Sequence, residues 1–270
     1  MASYKQRKRR GGPSAPGAAS GRGRHADARP GDDGAAWLYG IHPVRAALAN
    51  PRREVLRLLV AAGQAAQWAD VHPGPEAVDR AAIEALVGAD TVHQGVAAEV
   101  APLDQPDLAD LLDHPGEADL FVVLDQITDP HNVGAILRSA AAFGARAVIT
   151  TERNAPPESG ALAKAAAGAL EAVPLVRVIN LARALRAIAE TGVWIFGLEA
   201  TGDRTLAEAD PSGRCALVFG AEGSGLRRLT GGACDEIVRL PIAGAVNSLN
   251  VSNAAAVALY ELVRKPHKPS

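Results

Sequence analysis

Aromatic residues make up only 4% of this 270-residue chain, which also has just two cysteines and one methionine. Two thiols, Cys215 and Cys234, cannot staple a small secreted domain, so they are expected as buried free thiols of a reducing compartment. No apolar run approaches the roughly 18 residues that a membrane span needs. The N-terminal segment has no apolar core of a secretory leader, so a cytoplasmic protein is expected. The seven histidines fall in no ligand spacing, so no metal is expected either. A GK[ST]-ended phosphate loop and a GxGxxG fingerprint are both missing. The first absence removes the P-loop nucleotidases, and the second counts against a dinucleotide oxidoreductase.

What is present is 48% hydrophobic residue, mostly Ala, Val and Leu. This is enough to build the cores of one large or two modest domains from small aliphatic side chains. The net charge of -2 hides an asymmetry. Residues 1–36 carry eight basic residues against three acidic ones, a net +5, which leaves -7 for the rest. This segment is rich in Gly, Pro, Ala and Ser and cannot bury enough surface to fold alone. A basic arm of this kind either contacts a polyanion through its phosphates or serves only as a solubilising tail.

From Trp37 the pattern becomes ordered. IHPVRAALAN (41–50) predicts a short helix, VLRLLVAA (55–62) a strand, VDRAAIEALVG (78–88) a helix, and VAAEVAPL (96–103) an alternating strand. Together they form a small α/β unit over 37–103. The acidic, proline-bearing stretch 104–118 reads as a linker with room for one helical turn. From Asp119 to the end, apolar runs at 120–124, 146–150, 193–198, 215–220 and 236–241 look like strands buried on both faces. Helical patterns separate them. Val133, Ile136, Leu137, Ala140 and Ala141 form one stripe, and Leu181, Leu185, Ile188 and Ala189 another. This alternation predicts an α/β fold with a parallel sheet covered on both sides. Ligands of such sheets bind beyond the carboxyl ends of the strands, in the loops after Leu124, Phe219 and Leu240.

Those three loops carry the unusual residues. The first, DPHNVGAILR, places Asn132 at the mouth of a helix and Arg138 off its apolar stripe. Asn132 either caps that helix or faces a ligand, and Arg138 is either a solvated charge or a group of the same cleft. The second, FGAEGSGL (219–226), has three glycines that let backbone approach a ligand closely. Its Glu222 argues against a phosphate there. The third, LPIAGAVNSLNVSNA (240–254), gathers Asn247, Ser248, Asn250, Ser252 and Asn253. Ser252 alone would serve as an N-cap, but five neutral hydrogen-bonding groups exceed what one cap requires. They suit a neutral polar ligand.

DPHNVGAILR, LVFGAEGSGL and LPIAGAVNSLNVSNA together resemble the three motifs of the SpoU/TrmH branch of the SPOUT RNA 2′-O-methyltransferases, in the same order and over residues 119–264. IHPVRAAL (41–48) and HQGVAAEV (93–100) are similar to the family's small RNA-binding domain, of the ribosomal-protein L30e type. The resemblance implies a SPOUT sheet domain with a deep trefoil knot, dimerisation through that domain, and S-adenosyl-L-methionine bent within the knot. It assigns cofactor contacts to Gly220, Leu240, Ile242 and Leu249, and functional polar roles to Asn132, Arg138, Glu222, Ser248 and Asn250. The domain pairing resembles bacterial enzymes that methylate a guanosine ribose in the peptidyl-transferase loop of 23S ribosomal RNA, as naked RNA or in a pre-ribosomal particle. The alternatives are a transfer RNA guanosine as substrate, or an RNA-binding protein that keeps the fold without catalysis.

The implied reaction is displacement at a sulfonium methyl by a ribose 2′-hydroxyl, whose proton needs a destination. Because an arginine side chain does not readily give up its proton in proteins, Arg138 is better suited to clamp the adjacent phosphate than to act as a base.

Overall fold

The computed structural model describes residues 34–70, 74–116, 119–211, 213–245 and 248–264. The basic arm falls almost wholly outside these residues, as does Asn247. No helix among the described residues is long and apolar enough to cross a membrane.

The first unit comprises β1 (Ala36–Tyr39), α1 (Ile41–Ala49), β2 (Val55–Ala61), β3 (Glu76–Val78), α2 (Arg80–Val87) and β4 (Val96–Val100). Its strands form one sheet in the order β1-β4-β2-β3, antiparallel except between β2 and β3. Period-2 alternation divides the core between the two faces. Leu38, Leu58, Val60 and Ala98 pack with Val44 and Ala47 of α1, while Tyr39, Leu59 and Ala97 pack with Ile83 and Val87 of α2. Val78, expected to open a helix, instead ends β3, where it pairs with Ala61.

The acidic stretch that follows contains α3 (Leu108–Asp113), whose Leu108, Leu111 and Leu112 pack onto the core of the second unit. That unit then runs β5 (Leu120–Asp125), α4 (Pro130–Ala142), β6 (Ala147–Thr151), α5 (Gly160–Ala166), β7 (Leu175–Val178) and α6 (Leu181–Glu190). It continues through β8 (Trp194–Leu198), β9 (Arg204–Thr205), α7 (Leu206–Ala209), β10 (Cys215–Gly220), α8 (Arg228–Gly231), β11 (Glu236–Arg239) and α9 (Val251–Val263). Among the described residues its seven strands are all parallel, in the order β7-β6-β5-β10-β8-β11-β9.

This is the two-faced parallel sheet that the apolar runs predict. Leu120, Val122 and Leu124 of β5, with Leu217 and Phe219 of β10, face a core shared with Ile136 and Leu137 of α4 and Leu259 of α9. Phe121, Val123, Ala216 and Val218 point the other way, onto Leu181, Leu185 and Ile188 of α6. Every residue of β5 is buried, which is why the segment reads as a continuous apolar run and not an alternation.

The strand order has a consequence for function. Consecutive places in the sheet go to β5, β10, β8 and β11, so the loops after Leu124, Phe219, Leu198 and Leu240 emerge side by side at one edge. They are distant in sequence and adjacent in space.

Candidate active site

The first loop leaves the sheet through Gln126, a non-glycine residue at φ 62°. Its carboxylate neighbour Asp129 then caps α4, accepting from the backbone N–H of His131 at 2.9 Å, with Pro130 in the first turn. Because Asp129 is the cap, the capping role open to Asn132 is already taken. The Asn132 side chain reaches instead across 118 positions of sequence, and its Oδ1 accepts from Asn250 Nδ2 at 3.0 Å.

Asn250 holds the centre of the site. It is the N-cap of α9, a role the sequence left open to Ser252. Its Oδ1 accepts from Ser252 N at 2.9 Å, from Ser252 Oγ at 2.5 Å and from Asn253 N at 3.4 Å. With Oδ1 so occupied, Nδ2 is turned toward Asn132 and Glu222, donating to Glu222 Oε1 at 2.7 Å. The same Glu222 oxygen accepts from Val251 N at 3.3 Å. Glu222 therefore serves the backbone N–H of Val251 at the start of α9, where a negative charge is favoured. This explains an acidic residue inside a glycine loop: it grips the neighbouring loop and does not face a phosphate.

The glycine loop folds back on itself. Ala221 and Gly225 form a bridge, with Gly225 N donating to Ala221 O at 3.0 Å. Gly223 and Gly225 sit at φ 84° and 65°, in the left-handed region that suits glycine. Gly220 is also needed for the loop's own packing. A Cβ there would collide with the backbone of Gly225 and Leu226. Two carboxylates from flanking strands fasten the rest of the loop. Glu199, just beyond β8, accepts from Leu226 N at 3.0 Å. Asp125, the fully buried last residue of β5, accepts from Arg227 N at 3.0 Å and from Arg227 Nε at 2.6 Å.

These loops enclose a cavity of about 810 Å³, within the range of small-molecule sites. Gly220, Leu240, Ile242 and Leu249 line it, as do Glu222, Ser248 and Asn250. Asn132 does not line it but is bonded to its rim through Asn250. Arg138 lies outside, exposed on α4, with no side-chain hydrogen bond or ion pair among the described residues. The structure thus gathers eight of the nine residues singled out from the sequence and leaves Arg138 apart.

Glu199, Ala200 and Thr201 also line the cavity. Sequence reasoning missed them, although the rule about carboxyl ends of strands, applied to β8 as well, points to this loop. Nearby, burial pushes the Cys234 thiol up to about 12, helped by Asp235, Glu199 and Asp125, while burial alone raises Cys215 to about 11. Neither thiol is available as a thiolate nucleophile near neutral pH. Neither of them lines the cavity.

The sequence model of the SpoU rRNA Methylase family matches residues 119–260, and that of RNA 2′-O ribose methyltransferase substrate binding matches residues 37–106. A curated relative from Xylella fastidiosa (strain 9a5c), the 23S rRNA (guanosine-2′-O-)-methyltransferase RlmB, is 41% identical over 239 residues, covering 85% of this chain and 96% of its own. Its namesake from Escherichia coli (strain K12) is 47% identical over 180 residues, 64% of this chain and 72% of its own. Among solved structures, the SpoU methyltransferase AviRb from Streptomyces viridochromogenes in complex with AdoMet superposes with a TM-score of 0.73 at 26% identity. The match covers 84% of this chain and 89% of that one. An AdoMet-bound rRNA methyltransferase from Sinorhizobium meliloti also gives 0.73 at 26% identity, over 85% and 87% of the two chains.

Proposed function

The chain belongs to the SpoU rRNA methylase family, and from that premise we propose that it methylates the 2′-hydroxyl of a guanosine ribose in 23S ribosomal RNA, using S-adenosylmethionine. The observation that carries this reading is the hydrogen-bonded trio Asn132–Asn250–Glu222 at the rim of the cavity. It joins three loops into one preorganised wall, as catalysis by orientation requires.

The cavity fits the cofactor on its own chemistry. Its floor is apolar, from Leu198, Phe219, Leu240 and Val251, while the glycine loop offers uncharged polar backbone. This combination suits an adenosine, which is flat, neutral and edged with hydrogen-bonding groups. Gly220, Leu240, Ile242 and Leu249 would hold it. When bound, S-adenosylmethionine supplies an electrophilic methyl group on a sulfonium.

The chain's own side chains do the remaining work. Ser248 and Asn132 orient the ribose at the rim. Glu222 and Asn250 act on each other and keep the wall rigid. Arg138, exposed on α4 and without a partner among the described residues, meets the RNA phosphate beside the target ribose. A fixed positive charge there makes loss of the 2′-hydroxyl proton less costly. The first unit holds the surrounding RNA, in keeping with the substrate-binding match over 37–106.

The proposal includes a homodimer formed through the second unit. Val257, Tyr260 and Val263 leave an exposed apolar stripe on α9, a face that a second copy would cover. It also includes the trefoil knot. The strand order, with β10 between β5 and β8 and α9 returning onto α4, is compatible with such threading.

The test is direct. Purified protein is incubated with S-adenosylmethionine and 23S ribosomal RNA, with transfer RNA in parallel, and 2′-O-methyl sites are mapped by mass spectrometry of nuclease fragments. Methylation of one guanosine in the ribosomal RNA is expected. Tight RNA and cofactor binding without transfer would mark a non-catalytic protein on the same fold.

A further inference from the structure

Helix α5 stands between the two units and touches both at glycine contacts. At its start, Gly160 meets β1 so closely that a Cβ would strike Trp37 O and the Tyr39 ring. On its other side it meets α4, where a Cβ at Gly134 would lie 2.5 Å from Leu162 O and 2.6 Å from Ala165 Cβ. Just past its end, Gly168 faces Ala46 of α1, where a Cβ would come within 2.9 Å of the Ala46 Cβ. Surfaces that interlock without side chains resist sliding, since a small shift brings backbone against backbone.

Beside these contacts lies Arg53, in the turn between α1 and β2. Its side chain has no exposed surface. Nε donates to Glu171 Oε1 at 3.0 Å and to Oε2 at 3.1 Å, and Nη2 donates to Glu171 Oε1 at 2.8 Å and to Glu158 Oε1 at 2.5 Å. Nη1 donates to Ala101 O at 2.8 Å, within its own unit. Asn50 Nδ2 donates to Glu171 Oε2 at 2.8 Å and completes the cluster. A second bridge runs from Lys164 of α5 to Gln94 Oε1 at 2.7 Å, and the same oxygen accepts from Ile41 N at 3.2 Å. Gln94 takes this position at φ 58°, a conformation that non-glycine residues rarely adopt.

Buried ion pairs add little stability compared with apolar packing of the same volume, because both charges must leave water. What such a pair does impose is geometry, since a planar fork bonded to two carboxylates tolerates little rotation. Here that geometry is passed on. Arg53 fixes the first unit to the segment around α5, and α5 is packed at close range on α4, which carries Asn132 and Arg138.

We infer that Arg53 is a positioning residue, which through its bonds to Glu171 and Glu158 locks the RNA-holding unit to α5 and so sets where bound RNA meets the ribose-facing side chains of α4. The inference rests on the function proposed above. Arg53 touches neither RNA nor cofactor. It acts through the relative placement of two rigid bodies.

The experiment compares wild type, Arg53→Met and the double variant Arg53→Met/Glu171→Met in the full chain. Arg53→Met alone strands a buried carboxylate and should lower the melting temperature, whereas the double variant should regain most of it with an apolar contact. S-adenosylmethionine affinity should be unchanged in both. The single-turnover rate on saturating 23S ribosomal RNA fragment should fall at least tenfold in both, with RNA affinity changing far less. A double variant that recovers its rate together with its melting temperature would reduce Arg53 to a structural role and overturn the inference, as would a wild-type rate in Arg53→Met. Spin labels at exposed Ala81→Cys in α2 and Arg186→Cys in α6 keep the lock testable apart from the reaction. If wild type methylates no RNA, the proposed function fails. A distance distribution that broadens in Arg53→Met would still support the lock, and one that stays narrow would refute it.

Discussion

Arg138 shows most sharply what a single residue contributes here. It is exposed on α4 without an internal partner among the described residues, so truncating it leaves no buried group unsatisfied and any effect falls on function. If it clamps a phosphate, Arg138→Lys keeps a point charge but loses the bidentate fork, and should retain a small, measurable activity. Arg138→Ala should lose about 2.7–4 kcal/mol of transition-state stabilisation, on the order of a preorganised donor. Single-turnover transfer to ribosomal RNA separates the two, and equal, complete loss in both would favour a proton-accepting arginine. Gly220 teaches a different lesson. A Cβ at this position has no room, because the Gly225 and Leu226 backbone fills that space. Gly220→Ala should therefore displace the whole loop, loosen the Leu226–Glu199 and Glu222–Asn250 bonds, and weaken S-adenosylmethionine at least tenfold in calorimetric titration. Undiminished affinity would place the cofactor elsewhere.

Among the elements, α4 and α9 carry the site because their caps are arranged differently. Asp129 caps α4 from outside the site and frees Asn132, whereas Asn250 caps α9 from inside it. Asp129→Ala should cost about 1 kcal/mol, the usual worth of an N-cap, with cofactor affinity preserved. Asn250→Ala should cost a similar amount and methyl transfer as well, since it also unties Asn132 from Glu222. Urea midpoints set beside single-turnover rates would show the contrast. The periodic stripes of α4 and α6 were legible because polar and apolar residues alternate sharply along them. The helix α5 was not. Its sequence GALAKAA offers almost no polar contrast, and an alanine-rich stretch reads alike on every face. The short edge strand β7 escaped for a related reason, having four residues and too little length for a pattern.

For the whole molecule, the exposed Val257, Tyr260 and Val263 of α9 are the face that the proposed second copy would cover. Sedimentation at micromolar concentration should give about twice the 27.8 kDa chain mass, and Val257→Asp should shift it to one copy. A monomeric wild type with full methylation would remove the dimer from the proposal. Arg53 acts at the same scale, between the two units, and nothing local marks it out: it is one arginine in a turn, RRE, whose two carboxylate partners lie more than a hundred residues away.

The sequence by itself determined which segments are buried on two faces, which helices are striped, and which three loops carry polar residues unlike a fold's ordinary turns. Those features depend on neighbours within a few positions, where the periods of strand and helix act directly. Only the tertiary structure decided that β10 lies between β5 and β8, and with it that Asn132 meets Asn250, that Glu199 joins the cavity, and that Glu222 grips a helix start. Strand order is chosen by packing and pairing between residues far apart along the chain. It leaves no periodic trace in any one window, because the free energy that selects it belongs to the assembled sheet.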